Sequence, residues 1–98
     1  MEQLRYTDVD GPHALHDVTL YSLQRCEPCR DAHEFLRRHG VRYRSVTVDW
    51  QLPQRRIAIK QTLEEQYGAR PIYPAIEIDG VFFFGFDSDR WRELLSLR

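Results

Sequence analysis

Apolar and polar residues follow one another along the first half of the chain in short blocks that predict alternating strands and helices. The segment 17–22 is rich in β-branched and aromatic residues, which indicates a short buried strand. The segment 27–39 repeats apolar residues at helical spacing, and Gly40 is the residue expected to end that helix. The segment 41–49 predicts a second strand. Strand, helix and strand with short joints predict a right-handed βαβ unit with parallel strands.

The second half of the chain predicts a helix, a hairpin and a final helix. Pro53 suits the first turn of a helix, which is predicted to run to Tyr67. Two apolar runs, 75–78 and 81–84, flank Asp79-Gly80, a dipeptide typical of a tight hairpin turn. Asp87 is then expected to cap a C-terminal helix. The predicted element order is therefore β-α-β-α-β-β-α.

The chain of 98 residues has room for one domain. Residues 1–16 carry little hydrophobic pattern and are predicted to form a loosely patterned N-terminal extension. The domain itself is predicted to occupy residues 17–98.

Charge and hydropathy exclude several classes of protein. Fourteen basic and 15 acidic side chains give a net charge of -1, so binding to nucleic acid through a basic surface is not expected. The apolar runs are too short to span a bilayer, and the N-terminal residues lack the apolar stretch of a secretory signal. We therefore expect a cytoplasmic protein with neither nucleic acid nor membrane as a partner.

The two cysteines, Cys26 and Cys29, are the residues most informative about chemistry. Their C-x-x-C spacing, in a cytosolic chain with βαβ patterning, indicates a redox-active dithiol. Cys26 falls at the predicted start of a helix, where unpaired N–H groups and the helix dipole stabilise a thiolate. Cys29 lies one turn further on, on the core-facing stripe. We therefore expect Cys26 to attack a substrate disulfide and Cys29 to resolve the mixed disulfide.

A metal site is an alternative use of the same cysteines. His13 and His16 have a matching spacing, and the four side chains together are ligands of the types that bind zinc. The nine residues between the two pairs force the predicted strand to lie between them, and this spacing is shorter than in the usual zinc finger.

Three motifs, taken in order, resemble those of the glutaredoxin family over roughly residues 17–97. They are the segments Cys26-Glu27-Pro28-Cys29, Ile72-Tyr73-Pro74 and Phe84-Gly85-Phe86-Asp87-Ser88. The resemblance implies an α/β, thioredoxin-like fold of the glutaredoxin type, with a four-stranded mixed sheet flanked by helices. It also implies thiol–disulfide oxidoreductase activity on glutathione mixed disulfides or protein disulfides.

The resemblance further implies roles for residues around the cysteines. A cis Pro74 would let the backbone of Tyr73 pair with a substrate. Arg25 and Arg70 would meet the glycine carboxylate of glutathione, and Asp87 would meet its γ-glutamyl ammonium group as well as cap the last helix. Phe86 belongs to the same substrate-binding segment, as a residue of the cleft or of the core.

No metal or organic cofactor is expected to be built into such a protein. Glutathione would be the electron donor, the partners would be glutathione and disulfide-containing proteins, and the chain would be a monomer.

Two alternatives stay open. Leu23, Pro71 and Phe84 differ from the residues usual around the glutathione site, so thioredoxin reductase is the alternative donor. The same fold without turnover would instead be a metal-binding module, holding zinc or an iron–sulfur cluster between two chains.

Overall fold

The computed structural model describes residues 3–97, so the outer ends of the predicted extension and domain, at residues 1–2 and 98, lie outside the described residues. The strands are β1 (Thr7–Val9), β2 (Val18–Ser22), β3 (Tyr43–Thr47), β4 (Ala75–Ile78) and β5 (Val81–Phe84). The helices are α1 (Glu27–Arg38), α2 (Pro53–Tyr67) and α3 (Ser88–Leu94), and a short 3-10 helix spans Val48–Trp50.

The strands form one mixed sheet in the order β1-β3-β2-β4-β5. β2 and β3 are parallel, as the predicted βαβ unit requires, and every other pairing is antiparallel. The thioredoxin-like α/β fold and the order of its elements from β2 onward are therefore confirmed. The sheet has five strands rather than the expected four.

The additional strand, β1, lies inside the segment predicted to be a loose extension. Two of its three residues are exposed, so the strand has no buried apolar face and its sequence shows no apolar alternation. Pairing to β3 holds them instead: Asp8 lies opposite Arg44, and the Arg44 Nε donates to Asp8 Oδ1 at 3.2 Å. Polar pairing of this kind leaves no hydrophobic signal in the sequence. Where the domain begins remains a prediction, since residues 1–2 are outside the described part of the chain.

Gln51 ties the N-terminal segment to the end of β3. Its side chain is buried, accepts a hydrogen bond from the Arg5 N–H at 2.9 Å and donates to the Arg5 carbonyl at 2.7 Å. The same amide nitrogen donates to the Thr47 carbonyl at 3.0 Å. A buried amide satisfied on both sides specifies one position for the segment. Arg5 is thus held next to the end of β3, and Thr7–Val9 pair with that strand.

Helices cover both faces of the sheet. α1 and α3 pack on one face, where the buried core includes Leu20, Leu36, Ile76, Trp91 and Leu95. α2 contributes a single fully buried residue, Leu63, to the other face. None of the helices in residues 3–97 combines the length and apolar character required to cross a bilayer.

The predicted turns and helix ends are found close to where the sequence indicated them. The Asp79-Gly80 turn has positive φ at both positions (51° and 86°), as a tight hairpin between twisted strands requires. α2 has its predicted bounds and ends at Gly68, at φ 80°. β3 is shorter than predicted, because the chain turns into the 3-10 helix at Val48.

The close approach of Gly11 to Gly40 tests whether the segment before β2 packs against the chain just before β3. A Cβ on Gly11 would overlap the backbone of Gly40 and Val41. We expect Gly11→Ala to lower the free energy of unfolding by about 2–3 kcal/mol, measured by urea denaturation. Gly80→Ala is the control: its Cβ meets nothing within 4 Å, so only its positive φ costs stability, about 1 kcal/mol. Equal losses in the two variants would contradict close packing of the N-terminal segment.

Candidate active site

Cys26 lies where β2 has ended and α1 begins. It is the N-cap residue of α1, with extended backbone angles (φ -149°, ψ 105°), and its Sγ accepts a hydrogen bond from the Cys29 N–H at 3.3 Å. Pro28 occupies the first turn, where a missing N–H costs no intrahelical bond. The sulfur thus takes the position that a serine or aspartate oxygen takes in other helices.

Cys26 and Cys29 form a disulfide, with their Cα atoms 5.1 Å apart. Cys26 is partly exposed, whereas Cys29 has a relative exposure of 1% and belongs to the buried side of α1. The difference follows from helix geometry, since Cys29 is one turn inside and faces the sheet. A molecule approaching from solvent therefore reaches Cys26 first.

The second component of the site is the loop before β4. The Tyr73–Pro74 peptide bond is cis, Pro74 is buried, and its carbonyl accepts from the Gly85 N–H at 2.8 Å. In the antiparallel register of β2 and β4, Tyr21 pairs with Ala75. Pro74 therefore lies at the same edge of the sheet as the end of β2 and the loop to Cys26.

The Tyr73 side chain is an unusual group in this loop. Its hydroxyl is buried without a hydrogen-bond partner among the described residues. Burial raises the pKa of Tyr73, and the negative charges of Asp49 and Glu64 raise it further. The Tyr73 hydroxyl therefore stays protonated, with the carboxylates of Asp49 and Glu64 near it.

Asp49 is a site residue that the sequence analysis missed. Its Oδ1 accepts from the Gln24 N–H at 3.0 Å, which ties the loop before Cys26 to the 3-10 helix after β3. Its charge also acts on Tyr73, in the loop on the other side of the site. An acidic residue at the end of the predicted strand 41–49 was the available signal. Nothing in the sequence indicated which loop it would hold.

Asp87 caps α3 as predicted. Its Oδ1 accepts from the Asp89 N–H at 3.1 Å and from the Arg90 N–H at 3.2 Å. The adjacent Phe86 packs edge-on against Trp91, with ring centroids 4.9 Å apart. It is half-buried at the margin of the core. The structure thus assigns packing to Phe86, and its contact with substrate stays a prediction.

Arg25 and Arg70 are both exposed. Arg25 directly precedes Cys26, and Arg70 lies in the loop that leads to Tyr73. Neither forms an ion pair with another residue of the described chain. Their charges are therefore available to an anionic ligand from solvent.

The histidines predicted as zinc ligands lie at the opposite edge of the sheet. His13 Nε2 is 2.6 Å from the Leu95 carbonyl oxygen, and His16 contacts Asp79 in the hairpin turn. His16 precedes β2, whereas Cys26 follows it, so a strand about 15 Å long separates them. Within residues 3–97 there is also no cluster of three or more residues suited to a metal ion. The predicted zinc site built from these four side chains is wrong, because the histidines and the cysteines lie at opposite ends of β2.

A family model identifies the class of protein. The glutaredoxin model matches residues 18–83, about two-thirds of the chain, including both cysteines and the cis proline. The chain belongs to the glutaredoxin family. It is a small thiol–disulfide oxidoreductase with a dithiol at Cys26 and Cys29. A search of curated sequences found no significant match.

Solved structures agree with the fold of this glutaredoxin. The glutaredoxin of Methanosarcina mazei Go1 superposes with a TM-score of 0.83 at 22% identity, covering 98% of this chain and 92% of the other. The methanoredoxin of Methanosarcina acetivorans gives 0.75 at 18% identity, covering 86% and 88%. A buckwheat glutaredoxin–glutathione complex gives 0.64 at 23% identity, covering 80% and 68%. At these identities the likeness establishes the shared fold.

The cap at Asp87 gives a prediction about stability. Asp87→Ala removes both hydrogen bonds to the start of α3 and should cost about 1 kcal/mol in the free energy of unfolding. Asp87→Asn keeps an acceptor oxygen and should cost only a few tenths of that loss. Urea denaturation of both variants measures the difference. If Asn and Ala cost the same, the capping role would be contradicted.

Proposed function

We propose that Cys26 is the nucleophile and Cys29 the resolving thiol of this oxidoreductase. The observation that carries the proposal is the exposure of Cys26 at the helix N-terminus against the burial of Cys29 within the same disulfide. In the reduced protein the Cys26 thiolate attacks a substrate disulfide, and one substrate thiol leaves. Cys29 then attacks the Cys26 sulfur, releases the second substrate thiol and leaves the Cys26–Cys29 disulfide. Two electrons pass to the substrate.

The backbone of Tyr73 is proposed to hold the substrate during this exchange. The Pro74 carbonyl is used by Gly85, whereas the N–H and carbonyl of Tyr73 pair with no described residue. An extended substrate segment can add to these groups as a short antiparallel strand. Pro74 has no N–H of its own, so the pairing would be limited to Tyr73.

Glutathione is the electron donor that the surrounding charges favour. The exposed guanidinium groups of Arg25 and Arg70 suit its carboxylates, and Asp87 suits its ammonium group. Asp87 caps α3 through Oδ1, which leaves Oδ2 for a ligand. The buckwheat neighbour, of the same fold, is described as a complex with glutathione.

We further propose disulfide-containing proteins as substrates, a monomeric state and a cytoplasmic location.

Thioredoxin reductase is the alternative donor. Pro71 offers no N–H beside the substrate loop, and the half-buried Phe84 packs on Tyr67 with ring centroids 4.7 Å apart. Leu23 adds no charge before the cysteines. These three residues are less suited to glutathione than to a protein donor that contacts the dithiol directly.

Serine variants test the division of roles. Cys26→Ser should abolish reduction of both kinds of disulfide, because no nucleophile is left at the exposed position. Cys29→Ser should keep reduction of glutathione mixed disulfides and lose reduction of protein disulfides by on the order of a hundredfold, since resolution within the protein is lost. NADPH consumption, coupled through glutathione reductase, measures the first activity, and insulin reduction the second. Equal loss of both in Cys29→Ser would contradict the assignment.

A second set of variants tests the glutathione contacts. Asp87→Asn, Arg25→Gln and Arg70→Gln should each raise the KM for glutathione about threefold to tenfold, as expected for exposed charge-assisted hydrogen bonds. The matched control is Arg38→Gln, an exposed arginine paired with Glu34 at the far end of α1. Unchanged KM in all three variants, together with NADPH consumption through thioredoxin reductase, would favour the alternative donor.

A further inference from the structure

Three polar side chains form a hydrogen-bonded series at the edge of the sheet opposite Cys26. His16 Nδ1 lies 2.7 Å from Asp79 Oδ2, and His16 Nε2 lies 3.1 Å from Ser96 Oγ. His16 precedes β2, Asp79 is in the β4–β5 turn, and Ser96 follows α3. The redox chemistry of the dithiol uses none of them.

The hydrogen-bond directions in this series follow from chemistry when the imidazole of His16 is neutral. A carboxylate only accepts, so His16 Nδ1 must carry a hydrogen and donate it to Asp79. In the neutral imidazole the other nitrogen, Nε2, then has a free lone pair. The Ser96 hydroxyl must therefore donate to Nε2. This is the order of donors and acceptors that lets a histidine remove the proton of a serine nucleophile.

The acidic member of the series is held in one orientation. Asp79 Oδ1 accepts from the Asp17 N–H at 2.8 Å, and the Asp79 N–H donates to the Asp17 carbonyl at 2.9 Å. The hydrogen bond from Asp17 and then the one from His16 lower the pKa of Asp79. The carboxylate is therefore ionised at neutral pH and directs its second oxygen at His16.

Ser96 is presented to solvent on a constrained turn. It is exposed and has a left-handed backbone conformation (φ 58°), which is uncommon for a residue other than glycine. The turn is held on both sides, by His13 Nε2 at 2.6 Å from the Leu95 carbonyl and by the Ser96 N–H bond to the Glu93 carbonyl at 3.2 Å. The left-handed conformation belongs to the turn that ends α3, where the Leu97 N–H also bonds to the Arg92 carbonyl at 2.8 Å, and the turn leaves the Ser96 hydroxyl accessible.

We propose that Ser96 is a nucleophile toward activated acyl esters, with His16 as general base and Asp79 as the residue that orients it. Ser96 Oγ attacks the ester carbonyl while its proton passes to His16 Nε2. The tetrahedral intermediate collapses, the alcohol leaves with that proton, and the acyl group stays on Oγ as an ester. Water, deprotonated by His16, then releases the acyl group as a carboxylic acid and restores Ser96. No electrons are transferred in either step.

The substrate class follows from what the site offers. The Ser96 N–H is already bonded to Glu93, so it does not stabilise a developing oxyanion. Esters with a good leaving group, such as aryl esters, need that stabilisation least. The cavity of about 460 Å³ beside His16 is lined by Leu15 and Arg42 and not by Ser96, so the ester reaches the exposed Ser96 hydroxyl from solvent. Acylation is expected to be faster than deacylation, because the serine alkoxide released in deacylation is a poorer leaving group than the phenolate released in acylation.

The test uses the oxidised protein, whose cysteines are in the disulfide and offer no thiol. The protein is incubated with p-nitrophenyl acetate, and acetylated residues are identified by mass spectrometry. Ser96 should be acetylated at least tenfold faster than Ser88, an exposed serine at the start of α3, in line with the hundredfold or greater effect of a well-placed base. Ser96→Ala should remove that label and leave disulfide reduction unchanged. Ser88→Ala is the matched control and should keep it.

Asp79→Asn separates this proposal from a merely structural cluster. The variant keeps an oxygen for the Asp17 N–H but no longer fixes the hydrogen on Nδ1, so acetylation of Ser96 should fall at least tenfold. Acetylation of Ser96 no faster than Ser88, or equal rates in Asp79→Asn and the parent, would overturn the proposal. If Asp79→Asn does not fold, the comparison of Ser96 with Ser88 in the parent still decides the result.

Discussion

The hydrogen bond from the Cys29 N–H to the Cys26 sulfur is the contact on which the functional architecture depends. It makes a sulfur the cap of α1, so the first reactive atom of the site lies at the positive end of a helix. It also fixes Cys29 one turn further on, facing the core. Exposure of one cysteine and burial of the other are then consequences of helix periodicity, and no additional device is required.

The rest of the sheet keeps that helix start in place. Parallel pairing of β2 with β3 brings the ends of both strands to one edge, where Asp49 holds the loop before Cys26 through Gln24. Antiparallel pairing of β4 with β2 brings the cis Tyr73–Pro74 bond to the same edge. Three loops from three strands thus meet around the sulfur. The opposite edge carries the two histidines and the proposed serine nucleophile, which places the two chemistries at separate ends of one strand.

Short-range signals predicted most of this structure from the sequence. The bounds of α2, the Asp79-Gly80 hairpin and the cap at Asp87 all depend on residues within a few positions of one another, so composition and spacing were enough to indicate them. What the sequence did not indicate depends on polar contacts between distant segments. β1 is held by Asp8 and Arg44, and the N-terminal segment by Gln51. Such pairs have no periodicity, and only the fold shows which residues meet.

His16 illustrates the same limit in the candidate site. Spacing grouped it with His13, Cys26 and Cys29 as a metal ligand. The sequence placed a predicted strand between the two pairs, but it did not show how far apart that strand holds them in the fold. The structure instead brings it to Asp79, which is 63 residues away along the chain. The cis proline and the cysteine pair were accessible to prediction because they recur as a motif; the contacts of Asp49 and His16 were not.

The most direct test of the account is the pH dependence of alkylation of the reduced protein by iodoacetamide, with each cysteine followed separately by mass spectrometry. If the helix start stabilises the Cys26 thiolate, Cys26 should react first and reach half its maximal rate below pH ~8.5, the value for an ordinary thiol. Cys29 should react more slowly at every pH. Faster alkylation of Cys29, or a Cys26 profile centred at or above that of an ordinary thiol, would contradict the central claim.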